Sequence, residues 1–137
     1  MSTKLHGSCL CGDTKYVVND SFTKLFICHC KQCKQITGSA FASNLFIDKK
    51  HLEWVNGKEE VIVYKDPNRD FTKAFCKICG SGLPFLNSDG SHYIIPAGSL
   101  SDEPNPDQIE TSNIFCQEIS TWEARISSAV KFSQFPE

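Results

Sequence analysis

The chain has 137 residues, of which 40% are hydrophobic and 22% charged, with ten phenylalanines and a net charge of -2. A globule of this size removes about two thirds of its unfolded surface from water, enough for one domain with a real core spanning residues 1–137, and such a composition excludes a disordered chain. The near-neutral balance, with lysines scattered rather than massed on one stripe, makes nucleic acid and anionic lipid poor default partners.

The opening MSTKLHGSCLCGDTKY has no apolar run ahead of a small-residue cleavage site, so no secretory leader is expected. Nowhere do about eighteen apolar residues run together, as a membrane span requires. The expected compartment is the cytoplasm, with the nucleus as the alternative. Short β-branched and aromatic runs predict strands at residues 14–19, 41–48, 60–65, 71–75, 92–98 and 113–116. Turn residues separate them at Asn56-Gly57, 66–68 and 88–90, and hairpins are the natural reading. A turn or two of helix is expected after Cys30, in KQCKQITG, and two prolines limit any helix in the acidic stretch 101–110. The pattern is mostly β.

Eight cysteines in a reducing compartment point to metal rather than to disulfides. They fall in four groups: Cys9 and Cys11; Cys28, Cys30 and Cys33; Cys76 and Cys79; and Cys116 alone. FCKICG (75–80) has the C-x2-C-G form of a zinc knuckle, in which two intervening residues let both thiolates face one ion. SCLCG (8–12) offers two more from a strand-like C-x-C, whose residues i and i+2 share a side. These four make a closed tetrahedral structural site. Cys28 and Cys30 then share one face of an extended stretch, and Cys33 folds back over one helical turn, giving three thiolates for a second zinc with an open corner. Spacing alone also admits Cys28 and Cys30 with the knuckle.

Three thiolates on Zn²⁺ leave a net charge of about -1, against +2 for three imidazoles, so hydroxide generation is disfavoured. A soft, sulfur-rich zinc is better suited to taking one more sulfur, holding a substrate thiol as its thiolate.

The chain resembles the glutathione-dependent formaldehyde-activating enzyme (GFA), or CENP-V domain, family. The resemblance rests on GSCLCG (7–12), CHCKQCKQITGSAF (28–41), FCKICGSGL (75–83), IIPAGSL (94–100), Trp122 and the closing FPE (135–137). It implies a Mss4-like fold: a complex of short antiparallel sheets with zinc sites and one or two short helices. It also implies two zinc ions per chain, with Cys9, Cys11, Cys76 and Cys79 as structural ligands and Cys28, Cys30 and Cys33 as ligands of the catalytic zinc. The implied activity is that of a carbon–sulfur lyase, condensing glutathione or a similar small thiol with an aldehyde, formaldehyde giving S-hydroxymethylglutathione. The mechanism that follows has the substrate thiolate occupy the open corner and add to the aldehyde carbon. One departure is Asn113-Ile114 where the family commonly has His-Ile, since Asn cannot transfer protons. The competing classes are a noncatalytic zinc module for protein or chromatin interaction and a disulfide-stapled extracellular domain.

Other candidates have plainer readings. His29 lies between two same-face positions and points to the other side. Cys116 reads as a small buried residue on a strand. Thr37 and Ser39 read as turn or cap residues near the open zinc, and Gly38 as a backbone requirement. His6, His51 and His92 read as surface or packing residues, and Phe26, Phe41, Phe75, Phe85 and Trp122 as core.

Overall fold

The computed structural model describes residues 3–136. Among them, eleven strands in three small sheets and one α-helix form the mostly β fold expected from the sequence. The first sheet has the order β1 (Lys4–Ser8), β2 (Lys15–Asn19), β5 (Leu52–Asn56), and all its pairings are antiparallel. In β2 the alternation of KYVVN buries Tyr16 and Val18 and leaves Lys15 in solvent. Gly7 on β1 lies directly under the Tyr16 ring, where any Cβ would collide with it.

The second sheet runs β11 (Glu110–Ile114), β3 (Lys24–Cys28), β4 (Ala42–Asp48), β10 (His92–Pro96), β9 (Phe85–Leu86). Its β11–β3 pair is parallel, with Asn113 opposite Ile27 and Ile114 opposite Cys28, so hairpins do not account for this edge. The third sheet, β6 (Val61–Lys65), β7 (Thr72–Cys76), β8 (Gly82–Leu83), is antiparallel. The helix α1 (Lys31–Thr37) connects β3 to β4.

Leu5, Tyr16, Val18, Phe22, Leu45, Ile47, Leu52 and Ile95 form the main core between the first two sheets. A second cluster contains Cys9, Ala74, Cys76 and Leu83, and Trp54 packs against both. The Trp54 Nε1–H donates to the Tyr93 hydroxyl at 3.0 Å, so its polar edge is satisfied inside this junction.

The strands expected at 14–19, 41–48, 60–65 and 71–75 match β2, β4, β6 and β7 to within a residue at each end. The strand at 92–98 stops at Pro96 and passes into a 3-10 turn, Ala97–Ser99. The strand placed at 113–116 lies instead at Glu110–Ile114. Phe115 takes a left-handed conformation (φ 56°) that ends it, and an exposed 3-10 turn follows at Cys116–Glu118. Cys116 is therefore neither buried nor on a strand. Trp122, read as core, is 54% exposed, because it falls outside the sheets in a run of turns. Phe26, Phe41, Phe75 and Phe85 are half-buried.

Candidate metal centre

The turn between β1 and β2 carries Cys9 and Cys11, while Cys76 ends β7 and Cys79 lies in the turn between β7 and β8. The four sulfurs all lie within 4.8 Å of one another, with Cys9 and Cys11 Sγ 3.5 Å apart and Cys11 and Cys76 Sγ 3.9 Å apart. Gly12 (φ 83°) and Gly80 (φ 78°) follow the two motifs in the left-handed region, which lets each chain turn away from the cluster without a Cβ clash. Backbone N–H groups point at the sulfurs: Thr14 N–H donates to Cys9 Sγ at 3.3 Å and Ile78 N–H to Cys76 Sγ at 3.4 Å. Ser81 Oγ accepts from Leu10 N–H at 2.9 Å and donates to Cys79 Sγ at 3.1 Å, linking the two turns.

These contacts divide the thiols. Hydrogen bonds from the Ser81 hydroxyl, then from the Cys11 and Ser81 backbones, hold Cys79 down at about 5. At Cys11 the hydrogen bond from Asp13 favours the thiolate but is outweighed by burial and by the sulfurs of Cys9, Cys79 and Cys76, which push it up to about 12. Four thiolates so close require a cation to ionise together, and an all-sulfur tetrahedral set fits one Zn²⁺.

The second cluster is built at the β3–α1 junction. Cys28 ends β3 opposite Ala42 of β4, Cys30 is the N-cap of α1, and Cys33 lies in its first turn. Their sulfurs also lie within 4.8 Å of one another. Cys33 N–H donates to Cys30 Sγ at 3.3 Å, so the helix cap and the sulfur cluster share one atom. Burial pushes both the Cys28 and Cys33 thiols up, and Cys33 is raised further by the sulfurs of Cys30 and Cys28. Ala42, Phe71 and Ile114 pack around the three. A compact, partly desolvated trio of sulfurs fits a soft divalent ion with one position left for another donor. The eight sulfurs, all free, thus group as four, three and the separate Cys116, and the pairing of Cys28 and Cys30 with the knuckle does not occur.

His29 is fully buried and turned from the sulfurs, as its place between two same-face cysteines predicts. Its Nε2–H donates to Asn113 Oδ1 at 2.9 Å, its ring meets Phe41 edge-on at 5.6 Å, and Nδ1 has no hydrogen-bond partner. Asn113 is thus a partner of His29. Thr37 Oγ1–H donates to the Cys33 carbonyl at 2.6 Å and accepts from Ser39 N–H at 3.2 Å, a helix-end role, and Gly38 closes the helix in the left-handed region. His6 bonds Asp102, His51 bonds Asn19 and His92 bonds Ser91, all away from both clusters.

Sequence reading passed over Phe71, which packs against the three-cysteine cluster from just ahead of β7, and Lys73, two residues further along the same face. The signal was present in FTKAFC, where alternation sends Ala74 and Cys76 to one face and Phe71, Lys73 and Phe75 to the other.

The sequence model of the family described as glutathione-dependent formaldehyde-activating enzyme matches residues 4–118. The chain belongs to that family, whose members are generally enzymes and whose function is glutathione-dependent formaldehyde activation or related chemistry. Among solved structures, a Rhodobacter sphaeroides protein shares the fold, with a TM-score of 0.62 at 21% identity, covering 80% of this chain and 99% of that one. No curated protein matches the chain. No helix among the described residues is long and apolar enough to cross a membrane.

Proposed function

We propose that this protein is a zinc-dependent enzyme of the carbon–sulfur lyase type, which forms or breaks thiol–aldehyde adducts. Glutathione plus formaldehyde, giving S-hydroxymethylglutathione, is the reaction to which the family name points. The observation that carries this reading is the trio Cys28, Cys30 and Cys33: three converging sulfurs with no fourth side-chain donor grouped with them among the described residues.

Zinc held there would supply a soft centre of net charge about -1, better matched to a further sulfur than to hydroxide. The chain's own residues hold and shield that position. Strand pairing fixes Cys28, the first turn of α1 fixes Cys30 and Cys33, and Thr37 ties the helix end to the Cys33 carbonyl. Phe71 and Ile114 keep water from the flanks of the cluster. Asn113 holds the His29 Nε2 proton, so proton delivery at the carbonyl oxygen falls to solvent rather than to a histidine. Cys9, Cys11, Cys76 and Cys79 form the closed set, whose role is to join the first and third sheets.

The net reaction adds a thiol across the carbonyl of formaldehyde: a carbon–sulfur bond forms, the carbonyl π bond breaks, and one proton moves from sulfur to oxygen to leave an S-hydroxymethyl adduct. NMR exchange spectroscopy with carbon-labelled formaldehyde and glutathione, cysteine or 2-mercaptoethanol measures it directly. Zinc-loaded wild type is expected to speed the exchange with at least one thiol, and Cys30→Ser is not. A wild-type protein that accelerates none of them rules out the reading.

A further inference from the structure

A cavity of about 580 Å³ lies between the third sheet, α1 and the turn that carries Cys9 and Cys11, lined by Lys73, Phe75, Ile36, Thr37, Leu10 and Ser81 among others. Lys73 is its cation. The side chain is half-buried, and among the described residues its ammonium makes neither a hydrogen bond nor an ion pair, in contrast to Lys34 and Lys77, which are both engaged. Its Nζ lies 5.9 Å from the Phe85 ring centroid, and a methyl group built on Gly82 would meet Nζ at 3.4 Å and Pro96 Cγ at 3.5 Å. Lys73, Gly82 and Pro96 therefore form one wall of the cavity.

The simplest alternative is that Lys73 neutralises the four-cysteine cluster, since Cys76 is on the same strand. Strand alternation puts Lys73 and Cys76 on opposite faces of β7, although Leu10, Gly80 and Ser81 of the four-cysteine turns share the cavity lining with Lys73. Positions 74 and 76 are buried with Cys9 and Leu83, whereas 73 and 75 point to the opposite face and line the cavity. On that same face Phe71, just ahead of β7, packs against the cluster of Cys28, Cys33 and Ala42, so one face of this segment runs from the three-cysteine cluster, past Lys73, to the cavity wall. Burial pushes the Lys73 ammonium below its ordinary value. Helix α1 joins the same two places, with Cys33 in its first turn and Ile36 and Thr37 on the cavity.

The Phe85 ring is a weak partner for a half-buried cation that has no anion or hydrogen-bond acceptor, and an anion entering the cavity would offset the remaining cost. Resting on the thiol-binding role given above to Cys28, Cys30 and Cys33, we propose that Lys73 determines which thiols are accepted, by pairing with a carboxylate of a substrate whose body lies in this cavity. With three thiolates on a divalent ion the site is itself negative, so an anionic thiol needs a compensating charge within reach, and Lys73 supplies it. A neutral thiol gains nothing from it.

S-methylglutathione separates this inference from the thiol reading, because it keeps the carboxylates and has no free sulfur to ligate a metal. Its binding to zinc-loaded wild type, Lys73→Arg and Lys73→Met is measured by calorimetry, alongside its diethyl ester. Lys73→Met is expected to bind S-methylglutathione roughly tenfold to a hundredfold more weakly, the loss of one charge-assisted contact, with Lys73→Arg close to wild type. The ester binds weakly and equally to all three. Zinc content and circular dichroism confirm that the variants are folded. Equal binding of S-methylglutathione to wild type and Lys73→Met, an equal loss for the ester, or no binding to wild type overturns the proposal. In parallel, 2-mercaptoethanol is added to the cobalt-substituted protein. Failure to alter the sulfur-to-cobalt absorption band counts against the thiol reading alone and leaves the S-methylglutathione comparison to decide the role of Lys73.

Discussion

Asn113 Oδ1 accepts a hydrogen bond from His29 Nε2 at 2.9 Å, across the parallel pair that joins β11 to β3. The imidazole is fully buried, so this amide is the partner of a donor that cannot reach water. Asn113→Ala strands that donor and is expected to cost about 1–3 kcal/mol, towards the lower end where solvent enters beside the exposed position 113. Urea unfolding of the zinc-loaded protein measures it. No loss of stability means that the contact is replaced without cost.

The two cysteine clusters should fail differently. Cys76→Ser removes a ligand from the set that joins two sheets, and structural zinc in small peptides contributes an apparent ~10–16 kcal/mol of folding free energy. That variant is expected to be unfolded or to melt far below wild type. Cys30→Ser should stay folded, retain about one zinc against an expected two in wild type, and lose activity. Metal analysis with circular dichroism tests both. Two zincs in both variants, or the same unfolding in both, contradicts the division of roles.

Gly7 has no room for a side chain, because a Cβ would run into the Tyr16 ring, which is fully buried and tied through its hydroxyl to Ser99 Oγ at 2.6 Å. The ring has no free direction in which to yield. Gly7→Ala is therefore expected to lose about 1–3 kcal/mol by overpacking, seen as a lower thermal midpoint with zinc content unchanged. An unaltered midpoint would show that the first sheet gives way more easily than its packing implies.

Lys34 Nζ donates to the Glu118 carbonyl at 2.6 Å and to Ser120 Oγ at 3.1 Å, and Lys31 N–H donates to Glu118 Oε1 at 3.1 Å. These bonds hold the segment after β11 against α1. In Lys34→Met that segment should exchange its amide hydrogens faster and be cut sooner by protease, while the amides of β3 and β4 keep their protection. Equal loss of protection in the strands would mean that the lysine stabilises the whole fold.

The knuckle at 75–80 and the C-x-C at 8–12 were readable because ligand spacing and the following glycine are local matters, settled within six residues. The apolar strands β2, β4, β6 and β7 were readable for the same reason. Missed were β1, whose KLHGS holds one strong apolar residue, and β5, whose LEWVN sits between turns, both of which gain stability from pairing with β2 rather than from their own composition; β3, whose KLFIC is an apolar run that ends at the first cysteine of the trio, was missed as well. The two-residue strands β8 and β9 carry no periodic signal at all. Cys116 and Trp122 were misplaced because apolar character was taken for burial, whereas the backbone turn at Phe115 puts both in solvent.

By itself, the sequence determined that cysteines would gather in small local sets, since which sulfurs can face the same side depends on backbone period and turn chemistry over a few residues. Only the tertiary structure decided that Cys9 and Cys11 meet Cys76 and Cys79, 65 residues separating Cys11 from Cys76, and that Lys73 lines one cavity with Ile36 and Thr37 of α1. Those meetings depend on how three sheets pair and pack, and contacts between distant segments are set by the whole core rather than by any stretch within it.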